Sequence, residues 1–226
     1  MKKLLLTFAG LALTSFLAPA QVALITRTGA SLATIHASAA GPARQYAAGW
    51  VGGAGLNLPL DRVQVVSLQP EVLFNRKGFA MRGNHYVHNY LEVPLLLKVT
   101  LKRYGLQTYL TAGPSGGFLL SGRYPAAMDT LGVVRTDDLP VRVNQVLNAA
   151  DAPTTAFKRF ELGFQVGAGV GLPLGRGTAL AELRYGHGLT PFFRTDGPAG
   201  AANRFTNRAF GLTLAYALPL AVSSRQ

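Results

Sequence analysis

Residues 160–172 alternate strictly between two kinds of side chain, and this pattern constrains the fold of the chain most. Every second residue is apolar, whereas most of the residues between them are glycine, apart from Glu161 and Gln165. Such alternation indicates a β-strand whose two faces lie in different environments. A soluble sandwich presents polar side chains to water, and a row of glycines presents almost none. The pattern fits a narrow lumen lined by glycine and a few polar groups, with the apolar row facing lipid.

Seven further segments alternate in the same way, and together with the first they make eight, an even number as in single-chain bacterial barrels. The sequence therefore predicts an all-β, eight-stranded antiparallel up-and-down transmembrane β-barrel. Aromatic residues near the segment ends are typical of interfacial girdles. The seven segments are 24–32, 46–58, 63–75, 90–100, 106–120, 178–185 and 210–218.

The connections between these segments are alternately short and long. Three are short, at 59–62, 101–105 and 173–177. Four are longer, at 33–45, 76–89, 121–159 and 186–209. Outer-membrane barrels have short periplasmic turns and longer extracellular loops, so we expect both termini of the barrel on the periplasmic side.

The first twenty residues have the three parts of a secretory signal peptide: Lys2 and Lys3, an apolar stretch at 4–17, and Ala18-Pro19-Ala20. The apolar stretch is shorter than the ~20 residues that a spanning helix needs. We therefore expect a signal peptide at 1–20 and one barrel domain at 21–226. Only 14% of the residues are charged, against about 25% in typical soluble domains, which also favours the outer membrane.

The composition excludes several kinds of site and partner. The chain has no cysteine, so neither a disulfide framework nor a thiolate metal site is possible. The formal net charge of +12 could indicate nucleic acid, anionic lipid or a solvated surface, and export argues against nucleic acid. We expect no cofactor and no metal.

Several sequence blocks resemble the porin-like outer-membrane β-barrel family that includes the PorT-type proteins. The most specific are 67–74 followed by Lys77-Gly78, and 90–98, in which a proline follows a Glu-Val pair; further blocks are Arg27-Thr28-Gly29, Ala112-Gly113-Pro114 and 163–169. The resemblance implies an eight-stranded transmembrane barrel. It brings no catalytic residue with it, and some related proteins take part in secretion across the outer membrane.

All four glutamates of the chain fall on the expected lumen face, and three cations share that face with them. An isolated buried charge costs several kcal/mol, so these groups must pair or form hydrogen bonds. We interpret them as a structural network that plugs the lumen, in preference to a proton path or a catalytic carboxylate pair, with Glu71 and Glu92 as neighbours near the outer end. The network comprises Arg27, Glu71, Glu92, Lys98, Glu161, Glu182 and Arg184.

The four histidines are the remaining candidates for chemistry. His36-Ala37-Ser38 lies in the expected first outer loop, His85 and His88 in the second, and His187 begins the fourth. A hydrolase would also need an acid that orients the imidazole and an oxyanion site, and the sequence identifies neither. Two histidines without a third ligand do not make a metal site. We therefore predict no enzymatic activity.

The expected outer loops are rich in basic residues, which predicts contact with the phosphates of outer-membrane lipid. The candidates are Arg76, Lys77, Arg82, Arg204 and Arg208. The long loop 121–159 is a candidate site for a protein partner, and we expect a monomer. The predicted function is a structural or interaction role; the alternatives are an outer-membrane lipid hydrolase, a secretion-associated barrel component and, more weakly, a pore.

Overall fold

The computed structural model describes residues 22–37, 45–81, 84–124, 139–140, 155–196 and 202–220. This part of the chain contains eleven strands: β1 (Ala23–Ala37), β2 (Gln45–Pro59), β3 (Val66–Met81), β4 (Asn84–Arg103), β5 (Leu106–Tyr124), β6 (Leu139–Pro140), β7 (Thr155–Phe157), β8 (Phe160–Leu174), β9 (Gly177–Gly188), β10 (Phe193–Asp196) and β11 (Ala202–Pro219). Within the described ranges, no helix is long and apolar enough to cross a membrane.

Eight of the strands form a closed antiparallel barrel. They follow one another in the order β1-β2-β3-β4-β5-β8-β9-β11, and β11 pairs back onto β1 from Ala23↔Pro219 to Ala37↔Phe205. The three short strands extend the sheet at the outer end, where β6 pairs with β5 and β10 lies between β7 and β11. The predicted fold class is confirmed.

The short inner turns are built from local conformational preferences. Tyr104 and Gly105, both with positive φ (50° and 79°), close the β4–β5 hairpin, as a two-residue turn of the favoured primed type requires. Gly175 (φ 58°) occupies the first central position of the β8–β9 turn. In the β2–β3 turn the Asp61 carboxylate accepts hydrogen bonds from the backbone N–H groups of Val65 (3.1 Å) and Val66 (2.8 Å).

The strands extend further outward than the sequence predicted. About ten residues are enough for a tilted strand to cross the bilayer, but β4 has 20 residues. The prediction of a long second loop at 76–89 was wrong, because β3 and β4 remain paired from Arg76↔Asn89 to Met81↔Asn84. The prediction of a fourth loop up to 209 was also wrong, since β11 starts at Ala202. The apolar alternation ends before the strands do, and backbone pairing continues beyond it.

Two regions named by the sequence analysis fall largely outside the described residues. These are the expected signal peptide at 1–20 and most of the loop 121–159, namely 125–138 and 141–154.

The two faces of the barrel differ as the alternation predicts. In β8 the side chains of Leu162, Phe164 and Val166 are exposed on the outer surface, whereas Glu161 and Gln165 are buried. Outward aromatic rings pack against one another, with Trp50 stacked on Phe74 at 4.8 Å between ring centroids.

Glycine on the inner face of β8 provides space for side chains of other strands. A Cβ atom at Gly167 would lie 2.6 Å from Thr111 Oγ1 and 2.8 Å from Glu182 Oε1. Gly169 is similarly close to the Tyr109 ring. The space beside these glycines is therefore occupied by side chains of the neighbouring strands.

Candidate functional site in the barrel lumen

Four charged side chains meet inside the barrel; they are Arg27, Glu71, Glu182 and Arg184, and we call them the central ion-pair cluster. Arg27 Nη2 lies 2.7 Å from Glu71 Oε1 and 3.1 Å from Glu182 Oε2. Arg184 Nη1 lies 2.6 Å from Glu71 Oε2, and Arg184 Nε donates to Glu182 Oε1 at 2.7 Å. All four residues are buried. Two positive and two negative charges therefore balance within one contact group.

Uncharged side chains complete the hydrogen bonding of the central ion-pair cluster. Tyr109 Oη (3.2 Å) and Thr111 Oγ1 (3.3 Å) donate to Glu182 from β5. Arg27 Nη1 donates to Thr213 Oγ1 of β11 at 3.0 Å, and Gln69 Nε2 of β3 donates to Glu71 at 2.7 Å. The cluster thus joins β1, β3, β5, β9 and β11 across the lumen. Buried ion pairs are stable only with such additional hydrogen bonds.

A second polar group lies further outward and is centred on Glu92. Glu92 forms an ion pair with Lys77 and accepts hydrogen bonds from Asn75 Nδ2 (3.1 Å) and Gln165 Nε2 (3.4 Å). Lys77, expected to contact lipid, instead lies in the lumen, with its side chain only 11% exposed. The assignment to lipid is therefore wrong for this residue. The parity of β3 explains its position, because Glu71, Asn75 and Lys77 are separated by even numbers of residues.

The fourth lumen carboxylate, Glu161, has an uncharged hydrogen-bond partner. Glu161 accepts a hydrogen bond at 2.7 Å from Asn207 Nδ2, which also reaches Tyr90 Oη at 3.2 Å. Glu71 and Glu92, expected to be neighbours near the outer end, bind different cations: Glu71 belongs to the central ion-pair cluster, and Glu92 binds Lys77.

The outer end of the lumen is filled by apolar and aromatic side chains, which we call the outer aromatic cluster: Ile35, Phe79 and Phe192, with Tyr86 and Phe205 packed against them. Phe79 and Tyr86 stack at 4.4 Å with an interplanar angle of 4°. This cluster is absent from the sequence-based expectations, which assigned 76–89 and 186–209 to loops.

His88 packs beside the outer aromatic cluster. Its ring lies edge-on to Phe192 at 5.2 Å, and the residue is fully buried. The expectation of a surface-loop histidine is therefore wrong for His88, which belongs to the lumen-facing row of β4 together with Tyr90 and Glu92.

Lys98 lies at the inner end of the lumen, apart from the ion pairs. It is 5% exposed, and its Nζ lies 4.0 Å from the centroid of the Tyr109 ring. Among the described residues it forms no ion pair, in contrast to Arg27 and Arg184. The remaining gaps in the middle of the lumen are small, with cavities of about 40 and 20 Å³, enough for a few water molecules.

The other candidate residues lie on the outer surface or outside the description. Arg76 and Arg204 are exposed, Arg208 is half-buried opposite His187 in the β9–β11 register, and Arg82 is outside the described residues. His36 and His85 are exposed strand residues, and Ser38 is not described. Among the described residues, no hydrogen bond joins a carboxylate to His36, and no three His, Asp or Glu side chains group as metal ligands would.

The family comparison agrees with this architecture. The model of the outer membrane protein beta-barrel domain family matches residues 25–194. Neisserial surface protein A is similar at 10% identity and a TM-score of 0.48, over 87% of this chain and 97% of that one. The outer membrane protein OprG from Pseudomonas aeruginosa is similar at 10% identity and a TM-score of 0.48, over 89% of this chain and 97% of that one. Ail of Yersinia pestis, solved in complex with the heparin analogue sucrose octasulfate, is similar at 9% identity and a TM-score of 0.43. That match covers 88% of this chain and 100% of Ail.

The search of curated proteins found no match. The family match covers well over half of the chain and includes seven of the eight barrel strands. The chain is located in the outer membrane and belongs to the outer membrane protein β-barrel domain family.

Proposed function

We propose that this protein is a non-conducting outer-membrane barrel with a structural or interaction role, rather than a pore or an enzyme. The observation that supports this most is the central ion-pair cluster, in which buried charges from β1, β3 and β9 contact one another across the lumen. An ion that crossed would have to displace pairs that are held at 2.6–2.7 Å. Breaking such a buried pair costs several kcal/mol.

The outer aromatic cluster supports the same proposal, because it fills the lumen above the charged groups. Aromatic side chains compensate a hydrated ion only in small part for the water that they would replace. The two groups therefore oppose conduction for different physical reasons.

Planar-bilayer conductance of the refolded full chain tests the proposal. We expect no steady channel from the native protein. The double variant Glu182→Ala/Phe79→Ala, which opens both groups, should show conductance, whereas the matched outward substitution Leu183→Ala should not. A steady ohmic channel in the native protein would overturn the proposal.

We further propose that the outer rim contacts lipid phosphate. Arg76, Arg204 and Arg208 lie on outward-facing strand positions, beyond the outward rings of Phe74 and Phe210. Basic side chains just beyond an aromatic girdle match the arrangement of acyl chains and phosphates in a leaflet.

The amount of phosphate-bearing lipid that co-purifies with the protein tests this second proposal. Arg208→Ala should reduce the amount of bound phosphate-bearing lipid and its sensitivity to salt. Arg176→Ala is the matched control, since Arg176 is an exposed arginine of the β8–β9 turn at the opposite end. Equal losses in both variants would contradict a specific role of the outer rim.

The remaining assignments complete the proposal. We propose that 1–20 is a signal peptide, that the barrel is monomeric and does not bind nucleic acid, and that 121–159 contacts a protein partner. A PorT-type role in secretion is one form that such a partnership could take. Crosslinking in intact cells, with and without deletion of 125–138, should identify a partner that depends on this segment. No observation on the described residues favours lipid hydrolysis.

A further inference from the structure

A cavity of about 120 Å³ lies at the inner end of the barrel, below the central ion-pair cluster. Its rim includes Pro59, Gln64 and Lys102, which are at or next to the short inner turns, and its deeper wall includes the buried Lys98. The cavity is therefore on the side that the short turns place in the periplasm. None of the lumen ion pairs uses these residues.

The charge at this cavity is positive and has no local counterpart. Lys98 is 5% exposed and forms no ion pair among the described residues. The nearest glutamates belong to the central ion-pair cluster, in which two arginines already balance them. Its described contact is the Tyr109 ring at 4.0 Å, and a cation–π contact compensates only part of the cost of burying a charge. Lys102 adds a second positive charge at the rim.

Several of the uncharged side chains that line the cavity carry hydrogen-bond donors. The side-chain oxygens of two amides are already occupied: Asn57 Oδ1 accepts from Ser67 Oγ at 2.9 Å, and Gln64 Oε1 accepts from Lys102 Nζ at 3.1 Å. The NH₂ groups of these amides remain as donors for a guest. Thr100 and Thr178 add hydroxyl groups. Neither aspartate nor glutamate occurs among the described residues that line the cavity.

We propose that this cavity is a binding site for a small tetrahedral oxyanion of the phosphate type that enters from the periplasm. The Lys98 ammonium and the Thr100 hydroxyl of β4 are buried in the wall of the cavity. The Asn57 amide of β2 and the Thr178 hydroxyl of β9 are half-buried there. Phosphate has acceptor oxygens on all sides and can use such donors, whereas a planar carboxylate offers only two oxygens. The volume is large enough for one such ion with a few water molecules. The site does not depend on whether the lumen conducts.

Titration calorimetry of the folded full chain with inorganic phosphate, in an uncharged detergent, tests this site. We expect saturable binding at one site, with competition by sulfate. Lys98→Met retains most of the side-chain volume and removes the charge, so it should weaken binding about 10- to 100-fold, the usual effect of losing one charge-assisted hydrogen bond. Lys158→Met is the matched control, because Lys158 is exposed beside β8 at the outer end, and it should bind as the native protein does.

Three results would overturn the proposal: no saturable phosphate binding by the native protein, equal binding by Lys98→Met, or acetate binding as tight as that of phosphate. Lys98→Met leaves no carboxylate without its partner, so we expect it to fold. Should it fail to do so, Thr100→Val removes one donor from the same wall and should weaken phosphate binding several-fold, and unchanged binding would again overturn the proposal.

Discussion

The central ion-pair cluster and the outer aromatic cluster fill the same lumen with opposite chemistry. At the level of the lipid the inner face carries charges, such as Glu71 in β3, while the outer face carries apolar residues such as Phe74. Further along the same strand the arrangement reverses, with Phe79 inside and Arg76 outside. β1 behaves in the same way, since Arg27 is inside with Leu32 outside, and then Ile35 is inside.

The reversal follows from what surrounds each part of the barrel. Lipid requires an apolar outer face, so the polar residues of the chain must be paired within the lumen. Beyond the lipid the outer face meets water, and the ordinary rule of an apolar interior returns. One continuous strand therefore has a polar inner face within the lipid and an apolar inner face beyond it. Substitutions in the two parts test these arrangements separately.

The largest effect is expected from Glu182→Ala, which removes the shared partner of Arg27 and Arg184. Two buried guanidinium groups then lose one of the carboxylates that balance their charge. This loss should lower the free energy of unfolding by about 3–5 kcal/mol. Urea unfolding in bilayers or micelles measures it. Glu182→Gln keeps an oxygen for Arg184 Nε and should lose less. A loss below about 1 kcal/mol in Glu182→Ala would mean that the cluster contributes little to stability.

The outer aromatic cluster should show a loss of similar size but of local extent. Phe79→Ala leaves a cavity among Ile35, Tyr86 and Phe192, at a cost of about 3 kcal/mol. Because this part lies beyond the lipid, the loss should appear as local opening. Hydrogen exchange of the outer residues of β3 and β4 should become about 100-fold faster, while exchange near Arg27 stays unchanged. A uniform increase along the whole barrel would contradict the separation of the two regions.

Glu92 lies between the two regions, and Glu92→Ala should have a smaller effect of about 2 kcal/mol, because it leaves Lys77 buried without its partner. Urea resistance gives the measurement. The double substitution Lys77→Met/Glu92→Leu removes both charges and should recover most of the loss. If the double variant is no more stable than Glu92→Ala, the uncompensated charge of Lys77 is not the cause.

The sequence predicts the membrane-level half of the barrel well, for a physical reason. Lipid on one side and a narrow lumen on the other impose a strict period of two, so alternation alone assigns the glutamates and Arg27, Lys98 and Arg184 to one face. It cannot say which cation meets which acid. Arg184 reaches Glu71 of a distant strand because of the barrel's closure and stagger, while Lys98 reaches none.

The outer half could be predicted only in part. Its outward residues are polar, so the alternation of apolar and polar residues that marks a strand in lipid disappears there. The sequence of 76–89 therefore resembles a loop. The parity of the strands continues nevertheless. Extending it by a few residues from Asn75, Tyr90 and Ala209 places Lys77, His88 and Asn207 inside the lumen.

The contact between Glu71 and Arg184 allows the most direct test of the central claim that side chains pair across the lumen. These residues lie on β3 and β9, which are not neighbours in the barrel, and their closest atoms are 2.6 Å apart. A double-mutant cycle of Glu71→Ala and Arg184→Ala, measured by urea unfolding, should give a coupling free energy of about 1.5–3 kcal/mol. Additive losses, equal within about 0.5 kcal/mol, would contradict a cross-lumen ion pair.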